Sequence, residues 1–259
     1  VPSSSNGCLV KAVRFLGKAA HAGGAPHKGI NALNAAQLAL SAIHAQRETF
    51  RDQDSIRVHP IITKGGELVN VVPAEVRLET FVRGRTVEAI MDADAKVDRA
   101  LRAGALAVGA RVEIETLPGY MPLRNDPALQ EIFKYNAQSL FGEDEYCETG
   151  HRTGSTDMGD VSHIMPALHP YVSGGAGNMH GIDWRIADPR MGYMAPAKML
   201  AMMAVDLLFG EAEAAVRILA DYRPAMTKEQ YLAFQRNLSR FMRYDGETGA
   251  LDLRTFPVE

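Results

Sequence analysis

Residues 75–83 alternate: Val76, Leu78 and Val82 fall on one side, Arg77, Glu79 and Arg83 on the other. Only an extended strand with one buried face sorts side chains with a period of two. Such a strand must lie in a sheet, and its sequence neighbours show which. Residues 8–15 mix Leu, Val, Ala and Phe with charged residues and predict a strand. Residues 31–46 predict a helix, with Leu33, Ala36, Leu40 and Ile43 on one face. Residues 55–63 are β-branched and extended, with Ile56, Val58 and Ile62 on one side. Pro60 in that stretch predicts an edge or a bulge. Gly65-Gly66-Glu67 signals a turn. Thr86 is a suitable N-cap for a helix carrying Val87, Ile90, Val97, Leu101 and Val108 inward. Residues 111–116 alternate again, with Val112 and Ile114 inward.

The resulting order, β-α-β-β-α-β, is that of a ferredoxin-like α+β domain: a four-stranded antiparallel sheet with two helices on one face. It closes near Pro118-Gly119, so the first domain is set at residues 1–118. Its second sheet face is open to solvent, to a partner or to another domain.

The texture then changes. Asp126-Pro127 opens a helix by cap and first-turn logic, running to about Leu140 and stopping at Gly142. The run Gly154-Ser155-Thr156-Asp157-Met158-Gly159-Asp160 leads into a short helix ending near Met165-Pro166. Residues 168–172 predict a strand that feeds the loop Gly174-Gly175-Ala176-Gly177-Asn178-Met179-His180. Pro196 opens a helix through Phe209 that is apolar nearly all round and therefore needs burial on several sides. With three or so helices and few strands, residues 119–226 read as half a domain. Residues 227–259 form a helical tail, opened by the capping box Thr227-Lys228-Glu229-Gln230 and running to about Met242.

The totals exclude several classes. Of 259 residues, 46% are apolar, which allows a sizeable core. The net charge is -3 without a basic block, and no basic-aromatic strand signature occurs, so nucleic-acid binding is not expected. Two cysteines, Cys8 and Cys147, are too few for a disulfide framework and fit a reducing, cytoplasmic setting. The richest apolar run, residues 199–209, is too short to span a bilayer, so no membrane association is expected.

Four side chains stand out. His21 sits in the loop Gly17-Lys18-Ala19-Ala20-His21-Ala22-Gly23-Gly24-Ala25-Pro26. It is either a solvent-exposed loop histidine or a proton-bearing, oxyanion-stabilising group. Asn70 is either a turn residue or a carboxamide donor to a carboxylate or carbonyl. Arg83 either pairs with an acid on a solvated sheet face or grips a substrate carboxylate. His180 is either a loop histidine bonded to backbone or water, the reading its spacing favours, or a metal ligand, for which zinc needs two or three further ligands.

Taken together, these stretches resemble the zinc-dependent aminoacylases and glutamate carboxypeptidases, a family of metallopeptidases. The resemblance is carried by the His21 loop with Asn31-Ala32-Leu33, by Gly65-Gly66 with Asn70-Val71-Val72-Pro73, and by Phe81-Val82-Arg83. Gly154-Ser155-Thr156-Asp157 and the His180 loop resemble the last third of the same enzymes. The Ser-Thr-Asp-Met-Gly-Asp run and the long tail are most similar to aminobenzoyl-glutamate hydrolase-like amidohydrolases.

The resemblance implies a ferredoxin-like dimerisation domain, pairing sheet edge to edge in a homodimer. It is followed by the C-terminal part of a zinc-peptidase α/β domain. It also implies an intact enzyme with two divalent metal ions, zinc or alternatively manganese or cobalt, that cleaves the amide bond of an N-acyl or N-aroyl amino acid or short peptide. His180 then aligns with a metal ligand, and His21 with the catalytic histidine that reaches across the dimer to the oxyanion. Asn70 and Arg83 align with substrate-binding residues. The family's other ligands and its glutamate base precede the inserted domain, whereas this sequence opens at that domain. The expectation is therefore a C-terminal portion that alone holds no dinuclear metal. A non-catalytic dimerisation or interaction fragment is the alternative.

Overall fold

The computed structural model describes residues 1–255. In chain order the elements begin with β1 (Ser4–Ser5), β2 (Gly7–Leu16), α1 (Ala32–Ala45), β3 (Arg57–Val58), β4 (Ile61–Lys64), β5 (Glu75–Gly84), α2 (Val87–Val108) and β6 (Arg111–Pro118). They continue with β7 (Leu123–Arg124), α3 (Pro127–Phe141), α4 (Met158–Ile164), β8 (Gly175–Ala176), β9 (Arg185–Ile186), α5 (Ala195–Leu208), α6 (Glu213–Asp221), α7 (Lys228–Leu238), β10 (Arg240–Asp245) and β11 (Leu251–Thr255). The chain divides into two compact units. One holds Asn6–Pro122, Thr153–Thr156 and the segment from Lys228 onward; the other holds Val1–Ser5, Leu123–Arg152 and Asp157–Thr227.

The first unit is built on a sheet in the order β11-β10-β6-β2-β5-β3, with β4 also on β5. The expected ferredoxin-like arrangement lies within it. The stretch over residues 55–63 breaks at His59-Pro60 into two short edge pieces, as the proline requires. On β2, Leu9, Val13 and Phe15 are buried under the helices, in register with Val82, Leu78 and Val76 of β5. Helix α1 is capped by Asn31, whose side chain accepts from the Leu33 and Asn34 amides, and α2 by Thr86.

The two helices approach closely because their facing residues are small. Ala32, Ala35, Ala36 and Ala39 meet Ala93, Ala100, Gly104 and Ala105, all fully or nearly fully buried. A Cβ on Gly104 would run into the Ala35 carbonyl oxygen and lie 2.7 Å from the Ala39 Cβ.

The period of two also carries Lys11 inward, and there it is fully buried. Its ammonium meets Asp94 and Asp98, one turn apart on α2, each at 2.6 Å, and donates to Thr116 Oγ1 at 2.9 Å. Two carboxylates against one ammonium leave an excess negative charge that burial would make costly. Arg240 supplies the missing cation: its guanidinium donates to Asp94 and, at 2.9 Å, to Asp98. Burial works against the charge on Arg240, but Asp94 and Asp98 outweigh it, so its pKa moves up overall.

Arg240 arrives from the tail, whose structure differs from the helix expected there. The helix ends at Leu238, not Met242, and residues 240–255 form a hairpin whose first strand pairs with β6. Arg240, Met242 and Tyr244 sit opposite Thr116, Ile114 and Val112, which is a period of two. The tail is thus part of the first unit's sheet rather than a separate helical appendage.

In the second unit, Asp126 caps α3 through the Leu129 amide. Phe133, Ala137 and Met199 form a small core with Val1. The strand expected over residues 168–172 does not form. Pro170 removes a ladder donor there, and His169 stacks on Tyr171 instead. Helix α5 is not buried on several sides: Leu200, Val205, Leu208 and Phe209 are all at least 60% exposed. Because a π turn at Arg190–Met194 runs straight into α5, residues 190–208 form one helical stretch. By length and composition it could cross a membrane, which counting only residues 199–209 did not anticipate.

Two substitutions test this packing. Lys11→Met, which strands the buried carboxylates, is expected to cost about 3–5 kcal/mol. Gly104→Ala is expected to cost about 1–3 kcal/mol by prying α1 from α2. Urea unfolding midpoints of the two variants and the parent check both values.

Candidate functional site

The His21 loop leaves the end of β2 and is stitched to the residues around Asn70. The Ala22 amide donates to the Asn70 carbonyl at 2.9 Å, and the Val72 amide to the Ala20 carbonyl at 2.9 Å. His21 and Val71 form a bridge, as do Lys18 and Ile30. This bonding requires Gly17 at the base of the loop, because a Cβ there would collide with the Ile30 carbonyl oxygen. His21 and Asn70, 49 residues apart in sequence, therefore belong to one exposed ribbon.

The loop also orients the imidazole. The Gly23 and Gly24 amides donate to His21 Nδ1 at 3.2 and 2.9 Å. A nitrogen that accepts two hydrogen bonds carries no proton, so the ring proton is assigned to Nε2. Nε2–H is then presented as a donor, the role an oxyanion needs. Beside the ribbon lies a cleft of about 610 Å³ lined by Ala22, Asn31, Gly66, Leu68, Val69 and Pro73, among others.

Arg83 lies near the other end of β5, opposite Cys8 of β2 and Arg57 of β3. The ribbon joins the sheet beside Glu75, where the Gly17 amide donates to the Ala74 carbonyl. At the rise of a strand, the eight steps from Glu75 to Arg83 span roughly 27 Å. One copy of this unit thus holds His21 with Asn70 and holds Arg83 well apart from them. The surface ion pair considered for Arg83 is not formed: its contact is the Phe81 ring at 5.1 Å, and it has no carboxylate partner among the described residues. Arg77 does pair, with Glu75 at 2.7 Å. Arg83 lines a cavity of about 420 Å³ with Arg57, His59, Phe81, Thr153 and Gly154. Arg57 and His59 were not singled out from sequence, because the alternation over residues 55–63 marks only its apolar side, Ile56, Val58 and Ile62.

His180 belongs to the other unit. It is exposed in the loop between β8 and β9, with a left-handed backbone at φ 66°. The loop is tightened by the Gly181 amide, which donates to the Asn178 carbonyl at 2.7 Å, and by Asp183, which accepts from the Asn178 amide. Among the described residues no three His, Cys, Asp or Glu side chains gather as metal ligands. The donors among the described residues do not by themselves fit a dinuclear metal centre.

The chain is similar to known proteins over much of its length. Residues 6–108 match the M20 family described as "Peptidase dimerisation domain". Residues 6–108 are an M20 peptidase dimerisation domain. The chain is 30% identical over 228 residues to the human Xaa-Arg dipeptidase, covering 85% of this chain and 52% of that protein. A homolog of p-aminobenzoyl-glutamate hydrolase from Haemophilus influenzae is 40% identical over 72 residues, 28% of this chain and 16% of that protein. The chain spans about half the length of the human relative. Among solved structures, aminopeptidase PepT from Bacillus cereus aligns with a TM-score of 0.55 at 20% identity, over 84% of this chain and 52% of its own. A tripeptidase from Staphylococcus aureus aligns with a TM-score of 0.52 at 21% identity, again over 84% and 52%. The fold of these two proteins is therefore shared beyond residues 6–108.

Gly17→Ala is expected to force the M20 loop off Ile30, costing about 1–3 kcal/mol, and to shift the ring nitrogen resonances of His21. Unchanged His21 resonances in a folded Gly17→Ala protein would show that Gly17 does not brace the ribbon.

Proposed function

We propose that this chain is the dimerisation domain and part of the catalytic domain of an amidohydrolase that frees an amino acid from an N-acyl or N-aroyl group or from a short peptide. The relatives' names support the reaction class: a dipeptidase, an aminobenzoyl-glutamate hydrolase homolog and an indole-3-acetyl-aspartic acid hydrolase. The observation that carries the reading is the separation of the two binding groups along β5. A donor such as His21 Nε2–H and a carboxylate clamp such as Arg83 are useful together only on one substrate, and one copy cannot bring them together.

A twofold pair can. One edge of the sheet is formed by β3 and β4; on β4 Ile61 and Ile62 are exposed, with Leu68 and Val69 exposed beyond it. Antiparallel pairing of two β4 edges lays the His21 end of one copy beside the Arg83 end of the other. In this arrangement His21 donates to the oxyanion formed at the scissile carbonyl. Asn70 orients the same group, and Arg83 of the opposing copy holds the leaving amino acid's carboxylate.

Metal dependence is part of the proposal, with zinc, manganese or cobalt as candidates and ligands beyond His180 supplied from outside the described residues. The exposed apolar side chains of α5 and α6 suit burial against further polypeptide of the catalytic domain rather than against lipid. Cys8 and Cys147 are unpaired, in keeping with a cytoplasmic setting. A purely structural dimerisation module is the second reading, favoured by the lack of a gathered ligand set among the described residues.

Mixing two inactive variants of the full-length protein tests the arrangement. His21→Ala and Arg83→Ala are each expected to abolish hydrolysis of N-acyl amino acids. Equal mixing after subunit exchange is expected to restore about one quarter of the parent rate, since one site in each mixed dimer is then intact. No recovery in demonstrated mixed dimers rules out a shared site, and an inactive parent across a broad N-acyl and dipeptide panel favours the structural module.

A further inference from the structure

The first unit's sheet has a second edge, β11, at the end away from β3 and β4. Proteins usually blunt such edges with a bulge, a proline or a lysine. The β3 and β4 edge has two of these, a bulge between Ile62 and Lys64 and the lysine itself. Strand β11 has none: Leu251-Asp252-Leu253-Arg254-Thr255 follows β10 without a break in register. Leu251 and Leu253 are 51% and 54% exposed. No strand lies beyond β11 among the described residues.

The turn before β11 decides which of its backbone groups point outward. The Asp245 amide donates to the Ala250 carbonyl at 2.9 Å, so these two residues form a hydrogen-bonded pair. Such pairs alternate with non-bonded ones along an antiparallel ladder. Asp252 and Arg254, opposite Arg243 and Phe241, therefore direct their N–H and C=O groups toward β10. Leu251, Leu253 and Thr255 turn theirs outward.

A second copy of the strand, run antiparallel, has to set outward groups against outward groups. With a twofold axis at Leu253, the two Leu253 residues meet and Leu251 meets Thr255. Asp252 then lies directly across from Arg254, once on each side of the axis. A slip of two residues either way puts Asp252 against Asp252 or Arg254 against Arg254, and like charges directly opposite repel. The charges thus admit one register, and in it the leucines of both copies share one face. In a single copy Arg254 and Asp252 meet only each other, at 2.8 Å along an exposed strand.

We propose that β11 is a homotypic interface, at which a second copy of this chain adds its own β11 and continues the sheet across a twofold axis at Leu253. It is separate from the β4 pairing and does not rest on the amidohydrolase reading. A five-residue edge is small beside the roughly 1,200–2,000 Å² of a stable interface, so the contact is weak, with a Kd on the order of 0.1 mM.

Sedimentation equilibrium of the 259-residue chain at about 1 mM tests it. Asp252→Arg and Arg254→Asp each place like charges across the axis, and each is expected to show half the parent mass or less. Mixed in equal amounts, the two variants are expected to regain at least a twofold higher mass, because each meets opposite charges on the other. Leu253→Pro removes an outward N–H and leaves the β10 ladder intact, so it is expected to keep the low mass alone and in mixtures. Hydrogen exchange locates the contact: the Leu251 and Leu253 amides of the parent are expected to exchange about tenfold more slowly at high than at low concentration, and the Asp252 amide is expected not to change. Any pairing at β4 is common to all these proteins and leaves the mass ratios unaltered. A parent no heavier than its charge variants, no regain on mixing, or association that leaves the Leu253 amide unprotected overturns the proposal.

Discussion

The ion cluster between α2 and the sheet organises the first unit. Lys11 lies where a hydrophobic residue would ordinarily sit, and it is tolerable only because Asp94 and Asp98 face it. Those two acids are in turn tolerable only because Arg240 faces them from the far side. Removing any member leaves a charge away from water, so the cluster fixes the register of β2, α2 and β10 together. It also explains why a hairpin from the tail extends the sheet beyond β6. The ladder alone would tolerate a slip, but the guanidinium must arrive opposite Thr116.

The second unit shows the opposite condition. Its helices have good local signals, including the Asp126 cap and the Pro196 start, yet α5 and α6 leave much of their apolar surface uncovered. Local propensity builds a helix, but only tertiary partners bury it. The same shortage explains the missing strand over residues 168–172. Pro170 weakens it, and a strand needs a neighbour to exchange hydrogen bonds with.

Much of the fold was legible in the sequence because its signals are periodic. Strand β5 and helix α2 are long enough to repeat their patterns several times, and the structure places them where the periods do. The tail misled because Leu238 and Phe241 happen to lie three apart, which imitates a helix, while the true alternation begins only at Arg240. For the candidate site the sequence offers residues to name but not their geometry. Nothing in the one-dimensional pattern says that His21 and Asn70 join one ribbon, or that Arg83 faces the opposite end of β5. That Arg57 stands across from Arg83 is likewise a fact of strand pairing, which no local pattern carries.

The route of the chain has a consequence for the order of synthesis. The unit that includes Asn6 is interrupted by the whole stretch between Leu123 and Thr227, apart from Thr153–Thr156, and is completed only by residues after it. A nascent polypeptide thus exposes Asp94 and Asp98 with too little positive charge, and β6 with a bare flank, until Arg240 and its hairpin leave the ribosome. The first unit's sheet is consequently finished last at the edge that the hairpin forms, whereas its β3 and β4 edge is complete long before.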